Sequence, residues 1–452
     1  MMYHSKGSNI VLRDYQQTLY DGIVGCLADN RSVLGVAPCG AGKSYVFAKM
    51  VEQARKGYVL ILTHRQELLS QHDELLKGLG ISNYRLAMVM TEANRLGQYE
   101  SPSLIICDEA HLSMANSWVK IIQYYDTAKV VGLTATPCRL DGRPLGDVYD
   151  RLIDSVSVKW LIGNHRLAPY EYYAPMTLDM ADVRTGFGDY ILKDVEQLMT
   201  ERAIYSDAIK SWKELANSEK TIAYCISVKH AQELAEKFNS QGIKADWLCG
   251  GTPAKDRERV MNAFRRGAIT VLCNVGIISE GVSIDDVTCC LMLRPTESIA
   301  LGVQQMMRCM RYLPDKVAKI IDCVGNYSRI GLPDTERSWS LEERTKKIKA
   351  INEEGNLTVR VCPSCYMTFK TADICPFCGE PYPLNPREIE AHEEIRLRKI
   401  DAKEMERLEQ AKKQARMEVG RCKTMADLWK VANQRGYKAG WVFKMARIKG
   451  IK

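Results

Sequence analysis

The chain has 452 residues, of which 46% are hydrophobic and 26% charged, a composition typical of a globular protein with two to four domains. No apolar run reaches the length of a membrane-spanning helix and residues 1–9 are polar, so we expect an intracellular protein with neither a membrane span nor a signal peptide. The formal net charge is +8, and residues 420–452 hold nine Lys and Arg against one acid, so this segment accounts for the whole surplus (nine minus one).

Short apolar segments rich in β-branched residues alternate with helical segments along residues 32–322. Continuous apolar strands separated by helices are typical of a parallel sheet that is covered on both faces. The strands fall into two sets that meet near residues 158–173, where Pro169 and Pro175 interrupt the pattern, so we expect two α/β domains. The predicted strands are 32–37, 58–63, 104–107 and 130–133 in the first set, and 221–226, 245–249, 270–274, 287–293 and 318–322 in the second.

Beyond residue 324 this alternation stops. We expect an irregular segment at 326–340, a charged helix at 341–354 and, after Asn385-Pro386, a long exposed helix at 387–419. The last segment, 425–452, carries enough apolar side chains for a small helical core, with packing as the favoured role of its tryptophans; these side chains are Leu428, Trp429, Val431, Trp441, Val442 and Phe443. Its basic surface indicates contact with nucleic acid, but a solvated basic helix explains the charge equally well.

A glycine-rich segment, residues 37–44, follows the first apolar strand and opens a helix. Its backbone N–H groups would surround phosphate oxygens; the residues of this cradle are Gly40, Ala41 and Gly42. Lys43 would reach the β- and γ-phosphates, and the Ser44 hydroxyl would bind Mg²⁺. Taken alone, the segment also fits an ordinary strand-to-helix turn, because Ala37 replaces the first glycine of the general phosphate loop.

A second pattern, Asp108-Glu109-Ala110-His111, ends the apolar strand predicted at 104–107. The carboxyl end of a strand is where Mg²⁺ needs another ligand, so Asp108 would hold the metal while Glu109 orients and deprotonates the attacking water. Two surface acids would be the simpler interpretation. The two patterns in this order and spacing instead predict an ATP hydrolase with ATP and Mg²⁺ as cofactors.

Together these residues resemble motifs I and II of the superfamily 2 helicases of the DEAH type. Residues 133–137 resemble motif III, which in that family couples the state of ATP to the grip on nucleic acid; the resemblance implies this role for His111, Thr134 and Thr136. Residues 12–16 resemble the adenine-reading motif, with Arg13 and Gln16 as ATP contacts. Residues 62–68 and 90–92 resemble motif Ia and a degenerate motif Ib, which implies nucleic-acid contacts by Thr63, His64, Arg65 and Thr91.

The second α/β domain resembles the other half of such a helicase. Residues 223–231, 272–284 and 304–311 resemble motifs IV, V and VI. The resemblance implies nucleic-acid contacts by His230 and Asn274, ATP contacts by Gly281 and Gln304, and two arginine fingers on the γ-phosphate, Arg308 and Arg311.

Three positions depart from the family pattern, but none of them removes a phosphate ligand: Met307 replaces a glycine of motif VI, Ser283 an aspartate of motif V and Cys39 a threonine of the phosphate loop. Residues 293–298 and 321–326, with a cysteine module shortly after them, are similar to the RadD-type bacterial DNA-repair ATPases and their phage relatives. This resemblance covers residues 10–383. It implies a cytoplasmic location in a bacterium or a phage-infected host.

Four of the sixteen cysteines form two C-P-x-C pairs separated by nine residues: Cys362, Cys365, Cys375 and Cys378. Each pair can place two thiolates on one ion, and the two pairs complete a tetrahedron, so we predict a structural zinc ribbon that holds Zn²⁺. An iron–sulfur cluster and redox disulfides remain as alternatives. The other twelve cysteines are scattered, many of them in apolar strands, and are expected to be buried, reduced thiols.

These observations predict an α/β protein of two tandem RecA-like parallel-sheet domains, at 1–165 and 166–335, followed by a linker helix and zinc ribbon at 336–384 and by a charged helix with a small basic helical unit at 385–452. The predicted function is that of an ATP-dependent helicase or translocase on single-stranded, forked or branched DNA, in repair, recombination or replication. Replication or recombination proteins are the expected partners, with no membrane. The alternatives are an RNA helicase, a translocase without strand separation, a restriction motor subunit and a scaffold without ATPase activity.

Overall fold

The computed structural model describes residues 10–54, 57–138, 144–174, 204–277, 284–342 and 422–435, together with 442, 445–446, 449, 451 and five strands of two residues each. The chain divides into two compact units, one of Met1–Ile348 with Pro383–Ile400 and the other of Lys349–Tyr382 with Asp401–Lys452. Among the described helices, none has the length and apolar character that crossing a membrane would require.

The first unit contains two large sheets, and the part built on the first of them is called lobe 1. Its six strands are all parallel, in the order β3-β2-β4-β5-β1-β6. Three central strands are buried at every position, which explains their continuous apolar sequence. The strands are β1 Ser32–Val36, β2 Val59–Thr63, β3 Tyr84–Met88, β4 Leu104–Asp108, β5 Lys129–Thr134 and β6 Arg151–Asp154.

Six helices belong to lobe 1, and two single turns of 3₁₀ helix, Ala110–Leu112 and Leu145–Asp147, accompany them. The core beneath the sheet is formed by side chains of the strands and of the fifth helix, with Trp118, Ile121 and Tyr125 among the most buried. The helices are α1 Asp14–Asp29, α2 Lys43–Gln53, α3 Gln66–Gly78, α4 Val89–Ala93, α5 Asn116–Tyr124 and α6 Val158–Gly163.

Lobe 2 is built on the second sheet, which has seven strands in the order β11-β12-β10-β13-β14-β7-β17, parallel except for the last. Its strands are β7 Tyr170–Ala174, β10 Thr221–Tyr224, β11 Ala245–Cys249, β12 Val271–Val275, β13 Cys289–Met292, β14 Ala318–Asp322 and β17 Arg398–Lys399. Its helices are α7 Ile204–Ala216, α8 Val228–Ser240, α9 Ala254–Arg265, α10 Ile299–Met306 and α11 Tyr327–Ile330. Two small hairpins pair β8 Thr185–Gly186 with β9 Asp189–Tyr190, and β15 Arg360–Val361 with β16 Thr368–Phe369.

The structure confirms two parallel-sheet α/β lobes, and all nine predicted strands are present within two residues at each end. Four edge or near-edge strands of the two large sheets were not predicted, namely β3, β6, β7 and β17. The segment 158–173, predicted as an interruption, contains α6 and most of β7. Ser157 stabilises the start of α6, because its hydroxyl accepts a hydrogen bond from the Trp160 amide.

Part of the helix predicted at 387–419 is wrong, because residues 398–399 form β17. These two residues pair antiparallel with Tyr173 and Ala174 of β7, which would otherwise be the edge of the sheet. Local helix propensity is thus overridden by backbone groups of a sheet edge that need partners.

A segment that we call the strap, residues 331–342, runs from the end of lobe 2 back to lobe 1. Trp339 and Leu341 pack against the core of lobe 1, and the Gly146 amide donates to the Leu341 carbonyl at 3.0 Å. On the lobe 2 side, the Tyr170 hydroxyl donates to Asp334. The strap therefore connects the two lobes through packing as well as through the covalent chain.

In the second unit the structure describes helix α12, Met425–Arg435, and a small apolar cluster around it. Leu428, Val431 and Val442 are buried there, as predicted, whereas Trp429 is 37% exposed and so does not pack in the core as predicted. Trp441 and Phe443 lie outside the described residues. Of the twelve described cysteines, nine are buried, as predicted, and three are half-buried.

Candidate functional site

The loop between β1 and α2 has the geometry of an anion cradle. Gly40 and Gly42 have φ angles of +83° and +84°, which residues with a side chain rarely adopt. The loop leads into α2, whose eleven residues begin at Lys43 and Ser44, so free backbone N–H groups of the first turn face the loop. Lys43 Nζ donates to the Ala37 carbonyl at 3.1 Å and so lies over the loop.

Helix α1 holds this loop through Gln16. The buried Gln16 side chain donates from Nε2 to the Ala41 carbonyl at 2.8 Å and accepts the Arg13 backbone amide at 3.0 Å. Arg13 itself is exposed, and its guanidinium lies 3.4 Å from the Tyr15 hydroxyl. Gln16, the residue predicted to contact the base, therefore lies against the phosphate loop, and Arg13, the other predicted ATP contact of α1, precedes it by three residues.

Asp108 stands at the carboxyl end of β4, buried and hydrogen-bonded through both oxygens. Oδ2 accepts from His72 Nε2 at 2.9 Å, and Oδ1 accepts the Glu109 amide at 3.0 Å. Burial favours the neutral acid, but the hydrogen bond from His72 and the charge of Lys43 outweigh it and hold the pKa of Asp108 below its ordinary value. The carboxylate is therefore ionised at neutral pH.

Glu109 has a φ of +51°, a conformation unusual for a residue with a side chain and typical of functional sites. Its Oε2 lies 3.4 Å from His111 Nδ1 and accepts from Gln304 Nε2 of lobe 2 at 3.3 Å. Burial and the negative charge of Asp108 raise the pKa of Glu109, yet the contact with His111 and the charge of Lys43 leave it below its ordinary value. Glu109 is thus an ionised carboxylate contacted from both lobes.

Of the two predicted arginine fingers, Arg311 lies next to the phosphate loop, because its backbone pairs with Leu167 and a Cβ at Gly40 would lie 2.8 Å from the Leu167 side chain. Burial raises the pKa of the Cys39 thiol in this loop, against the lowering effect of the positive charges of Lys43, Arg308 and Arg311. Arg311 pairs with Asp285 at 3.1 Å. Gly281, the remaining predicted ATP contact of lobe 2, lies outside the described residues.

The three residues predicted to couple ATP to nucleic acid form one buried chain. His111 Nδ1 lies 3.2 Å from the Thr134 hydroxyl, and the Thr136 amide donates to that same hydroxyl at 3.2 Å. Thr134 ends β5, and His111 follows Glu109 on the neighbouring strand end. The chain links the end of β5 to the carboxylate of Glu109.

The residues predicted to contact nucleic acid differ in their exposure. Thr91 is exposed and His64 half-buried, so both are accessible. Thr63, His230 and Asn274 are buried; the Thr63 hydroxyl accepts the Arg65 amide, His230 Nδ1 accepts the Ile226 amide, and Asn274 Nδ2 donates to the Ala223 carbonyl. For these three the structure favours support of the backbone over direct contact.

Arg65 spans the two lobes. Its guanidinium donates to the carbonyls of Gly276 and Ile277, each at 3.2 Å. Two residues later, on the first turn of α3, Glu67 forms an ion pair with Arg257 of α9. The start of α3 is therefore bound to lobe 2 by two cationic side chains, one donated by each lobe.

Sequence reasoning missed His72, Glu67 and Arg257. A signal for His72 was present, since Leu68, His72 and Leu76 recur at intervals of four and share the buried face of α3. A histidine in an apolar stripe indicates a polar partner in the core. No comparable local signal exists for the Glu67–Arg257 pair, whose members are 190 residues apart.

In the part of the chain that the structure describes, no group of three or more His, Cys, Asp or Glu side chains could hold a metal ion. The four cysteines of the predicted zinc ribbon, Cys362, Cys365, Cys375 and Cys378, lie outside the described residues.

Two family models match the chain. The Helicase conserved C-terminal domain matches residues 203–313, and the Type III restriction enzyme, res subunit, matches residues 9–96 and 83–139. The first match covers most of lobe 2, and the second covers the phosphate loop, the Asp108–His111 segment and the end of β5.

Three relatives align over most of the chain. The 51.5 kDa protein of a Lactococcus phage (isolate 7-9) is 37% identical over 368 residues, which is 80% of each chain. The ATP-dependent helicase IRC3 of Saccharomyces cerevisiae is 30% identical over 70% of this chain and 52% of its own. The DNA 3'-5' translocase XPB2 of Sulfurisphaera tokodaii is 24% identical over 70% of this chain and 82% of its own. The chain thus spans only about half of the yeast relative.

A fragment of an HsdR subunit of a type I restriction enzyme from Vibrio vulnificus YJ016 has the same fold, with a TM-score of 0.56, 19% identity, and coverage of 74% of this chain and 67% of that one. Fold, site and matches define an ATP-hydrolysing helicase of superfamily 2. Within that class, the chain belongs to the same family as the 51.5 kDa protein of the Lactococcus phage.

Proposed function

We propose that this protein is a DNA-dependent ATPase of the DEAH type that translocates on, or remodels, single-stranded, forked or branched DNA. The contact between Gln304 of lobe 2 and Glu109 of lobe 1 carries the proposal. It joins the hydrolytic carboxylate to the opposite lobe, so that turnover depends on how the lobes sit, and binding of a polymer across them can control turnover.

The chain's own residues suit this chemistry. Lys43 and the backbone of the phosphate loop bind the ATP phosphates, and Gln16 with Arg13 contacts the adenine. The Ser44 hydroxyl and the Asp108 carboxylate are hard oxygen ligands that suit Mg²⁺, which neutralises charge on the β- and γ-phosphates. Glu109, ionised and buried, orients the attacking water and accepts its proton.

Lobe 2 contributes the groups that respond to the transition state. Arg308 and Arg311 stabilise negative charge that develops on the γ-phosphoryl oxygens, as cationic groups held opposite a phosphate loop do. Asp285 fixes the guanidinium of Arg311 from the solvent side at 3.1 Å. Gly281 completes the ATP contacts in this proposal.

DNA as the polymer is supported by the relative that is a DNA translocase and by the basic C-terminal segment. Thr91, His64 and Arg65 are the contacts that we assign to lobe 1, since they are not fully buried. In this proposal Cys362, Cys365, Cys375 and Cys378 hold Zn²⁺ in a structural ribbon that precedes the basic segment in the sequence. The proposed domains are 1–165, 166–335, 336–384 and 385–452. We infer repair, recombination or replication as the setting from the resemblance of residues 293–298 and 321–326 to RadD-type repair ATPases.

The test is the rate of ATP hydrolysis without polynucleotide, and with single-stranded DNA, forked DNA or RNA, using Lys43→Ala as the inactive control. Stimulation by DNA and not by RNA is the expected result. Stimulation by RNA alone would replace the proposal with an RNA helicase. Equal rates in all four conditions would remove polynucleotide control of the site altogether. A helicase assay on the best DNA then separates strand separation from translocation alone.

A further inference from the structure

His72 links three elements of the nucleotide site. Its side chain is 4% exposed, and its Nε2–H donates to Asp108 Oδ2 at 2.9 Å. On its other side the ring packs edge-on against Phe47 of α2, with centroids 4.7 Å apart at 81°. The imidazole thus sits between α3, the end of β4 and the helix that follows the phosphate loop.

The hydrogen bond fixes the carboxylate without consuming it. Asp108 accepts one bond at each oxygen, from His72 and from the Glu109 amide, and each oxygen keeps a further lone pair. Carboxylates that bind metals are commonly oriented in this way by an outer partner, and loss of that partner weakens metal binding.

We propose that His72 is a positioning residue that orients the Asp108 carboxylate for the Mg²⁺ that accompanies ATP. This rests on the proposed role of Asp108 as the metal ligand. Simple filling of the core is not enough to explain the residue, because an apolar side chain would fill the space beside Phe47 without placing a polar group on the aspartate.

The position of His72 on α3 adds a consequence. Helix α3 starts directly after Arg65, whose guanidinium bonds to Gly276 and Ile277 of lobe 2, and Glu67 on its first turn pairs with Arg257. Seven residues of helix, about 10 Å, separate Arg65 from His72. A shift of α3 that accompanies lobe 2 therefore reaches the metal-binding carboxylate through one side chain.

The test measures how much Mg²⁺ is needed for half-maximal binding of a fluorescent, non-hydrolysable ATP analogue to the full-length protein. His72→Phe keeps the ring and loses the donor, and we expect its Mg²⁺ midpoint to rise roughly 10- to 100-fold. His72→Gln keeps an N–H donor and should stay within a few-fold of wild type. Phe47→Leu is the packing control: it removes the ring contact, keeps the hydrogen bond, and should leave the midpoint unchanged.

A wild-type Mg²⁺ midpoint in folded His72→Phe would overturn the positioning role, and so would an equal rise in Phe47→Leu. If His72→Phe does not fold, failure of His72→Gln to bind with a near wild-type midpoint decides against the proposal. The variant Asp108→Asn distinguishes a wrong assignment of Asp108 as metal ligand from a wrong role for His72. If it binds Mg²⁺ and analogue like wild type, the assignment of Asp108 itself is wrong, whereas an impaired Asp108→Asn with a normal His72→Phe removes only the role of His72.

Discussion

Glu92, a buried acidic residue of lobe 1, is paired with a side chain of opposite charge. Glu92 is 1% exposed and forms two hydrogen bonds with Arg85, of 2.6 and 2.7 Å, while the Tyr125 hydroxyl donates to it at 3.0 Å. The guanidinium in turn lies 4.0 Å from the ring centre of Tyr99. Glu92 lies in the segment that resembles motif Ib, but its side chain is one partner of a buried ion pair.

Removing the positive charge of Arg85 should destabilise the folded protein. Arg85→Met leaves a carboxylate in the core without its counter-charge, and we expect the free energy of unfolding to fall by about 3–5 kcal/mol. Arg95→Met, at an exposed position ten residues away, is the control and should change stability by no more than about 0.5 kcal/mol. Urea unfolding of both variants measures the difference. Equal losses would show that the pair does not stabilise lobe 1.

His230 predicts a pH dependence in lobe 2. Burial, with a contribution from Lys237, lowers its pKa from 6.5 to about 3. Between these values the unfolded chain binds a proton that the folded chain does not, so stability contributed by His230 is present above pH 6.5 and is lost as the pH falls. From pH 7 to pH 5 the loss is about 2 kcal/mol.

The variant that tests this is His230→Asn, which keeps a side-chain acceptor for the Ile226 amide but does not titrate. Its free energy of unfolding should fall less between pH 7 and pH 5 than that of the wild type, by the contribution of His230. Parallel pH profiles for the two proteins would contradict burial of a neutral imidazole at this position.

At the level of helices and strands, sequence alone located the central strands, because buried parallel strands are continuously apolar. It missed β3 and β6, whose residues are mostly half-buried or exposed and which therefore lack that signal. It missed β7 because Pro169 and Pro175 bracket the strand. Strand β17 was missed because two residues of a charged segment pair with a sheet edge far away in the chain.

In the candidate site, too, some residues could be predicted from the sequence and some contacts could not. Lys43, Asp108 and Glu109 follow from local patterns, since each sits beside a turn or a strand end with its own sequence signature. The contacts that make the site one unit join distant parts of the chain: His72 with Asp108, and Gln304 with Glu109. Such pairings depend on the tertiary fold, which no local pattern encodes.

The packing of the strap on lobe 1 can be tested at Gly146. A Cβ at Gly146 would lie 2.8 Å from the Leu341 carbonyl oxygen, a backbone atom that cannot move without displacing the strap. We expect Gly146→Ala to lower the free energy of unfolding by about 1–3 kcal/mol. Gly163→Ala is the matched control, because nothing lies within 4 Å of its added methyl. A Gly146→Ala protein as stable as Gly163→Ala would show that the strap is loosely held.

Among the described residues, several contacts join the lobes besides the covalent linker. Gln304 contacts Glu109, and the strap packs on lobe 1. At the start of α3, Arg65 contacts the carbonyls of Gly276 and Ile277, and Glu67 pairs with Arg257. A cavity of about 120 Å³ lies between the phosphate loop, the end of β5, α10 and the strap. Because Glu109 of the candidate site contacts Gln304 of lobe 2, nucleotide binding at the phosphate loop is expected to change contacts in both lobes.

The metal content of the whole protein tests the cysteine module. We expect one Zn²⁺ per chain in purified protein, measured by elemental analysis, and loss of that zinc in a Cys362→Ser, Cys365→Ser variant, because one pair of thiolates cannot complete the tetrahedron. Iron in place of zinc would instead identify a cluster, and absence of both metals in freshly purified, reduced protein would argue for redox cysteines.

In the proposed mechanism, hydrolysis requires catalytic groups from both lobes. The most direct measurement compares ATP turnover by Arg308→Ala and wild-type protein, with ATP affinity measured in parallel. We expect Arg308→Ala to bind ATP within a few-fold of the wild-type affinity. Its turnover should be lower by about a thousandfold or more, because the arginine acts on charge that develops during phosphoryl transfer. Wild-type turnover in this variant would contradict a site shared between the lobes and leave hydrolysis to lobe 1 alone.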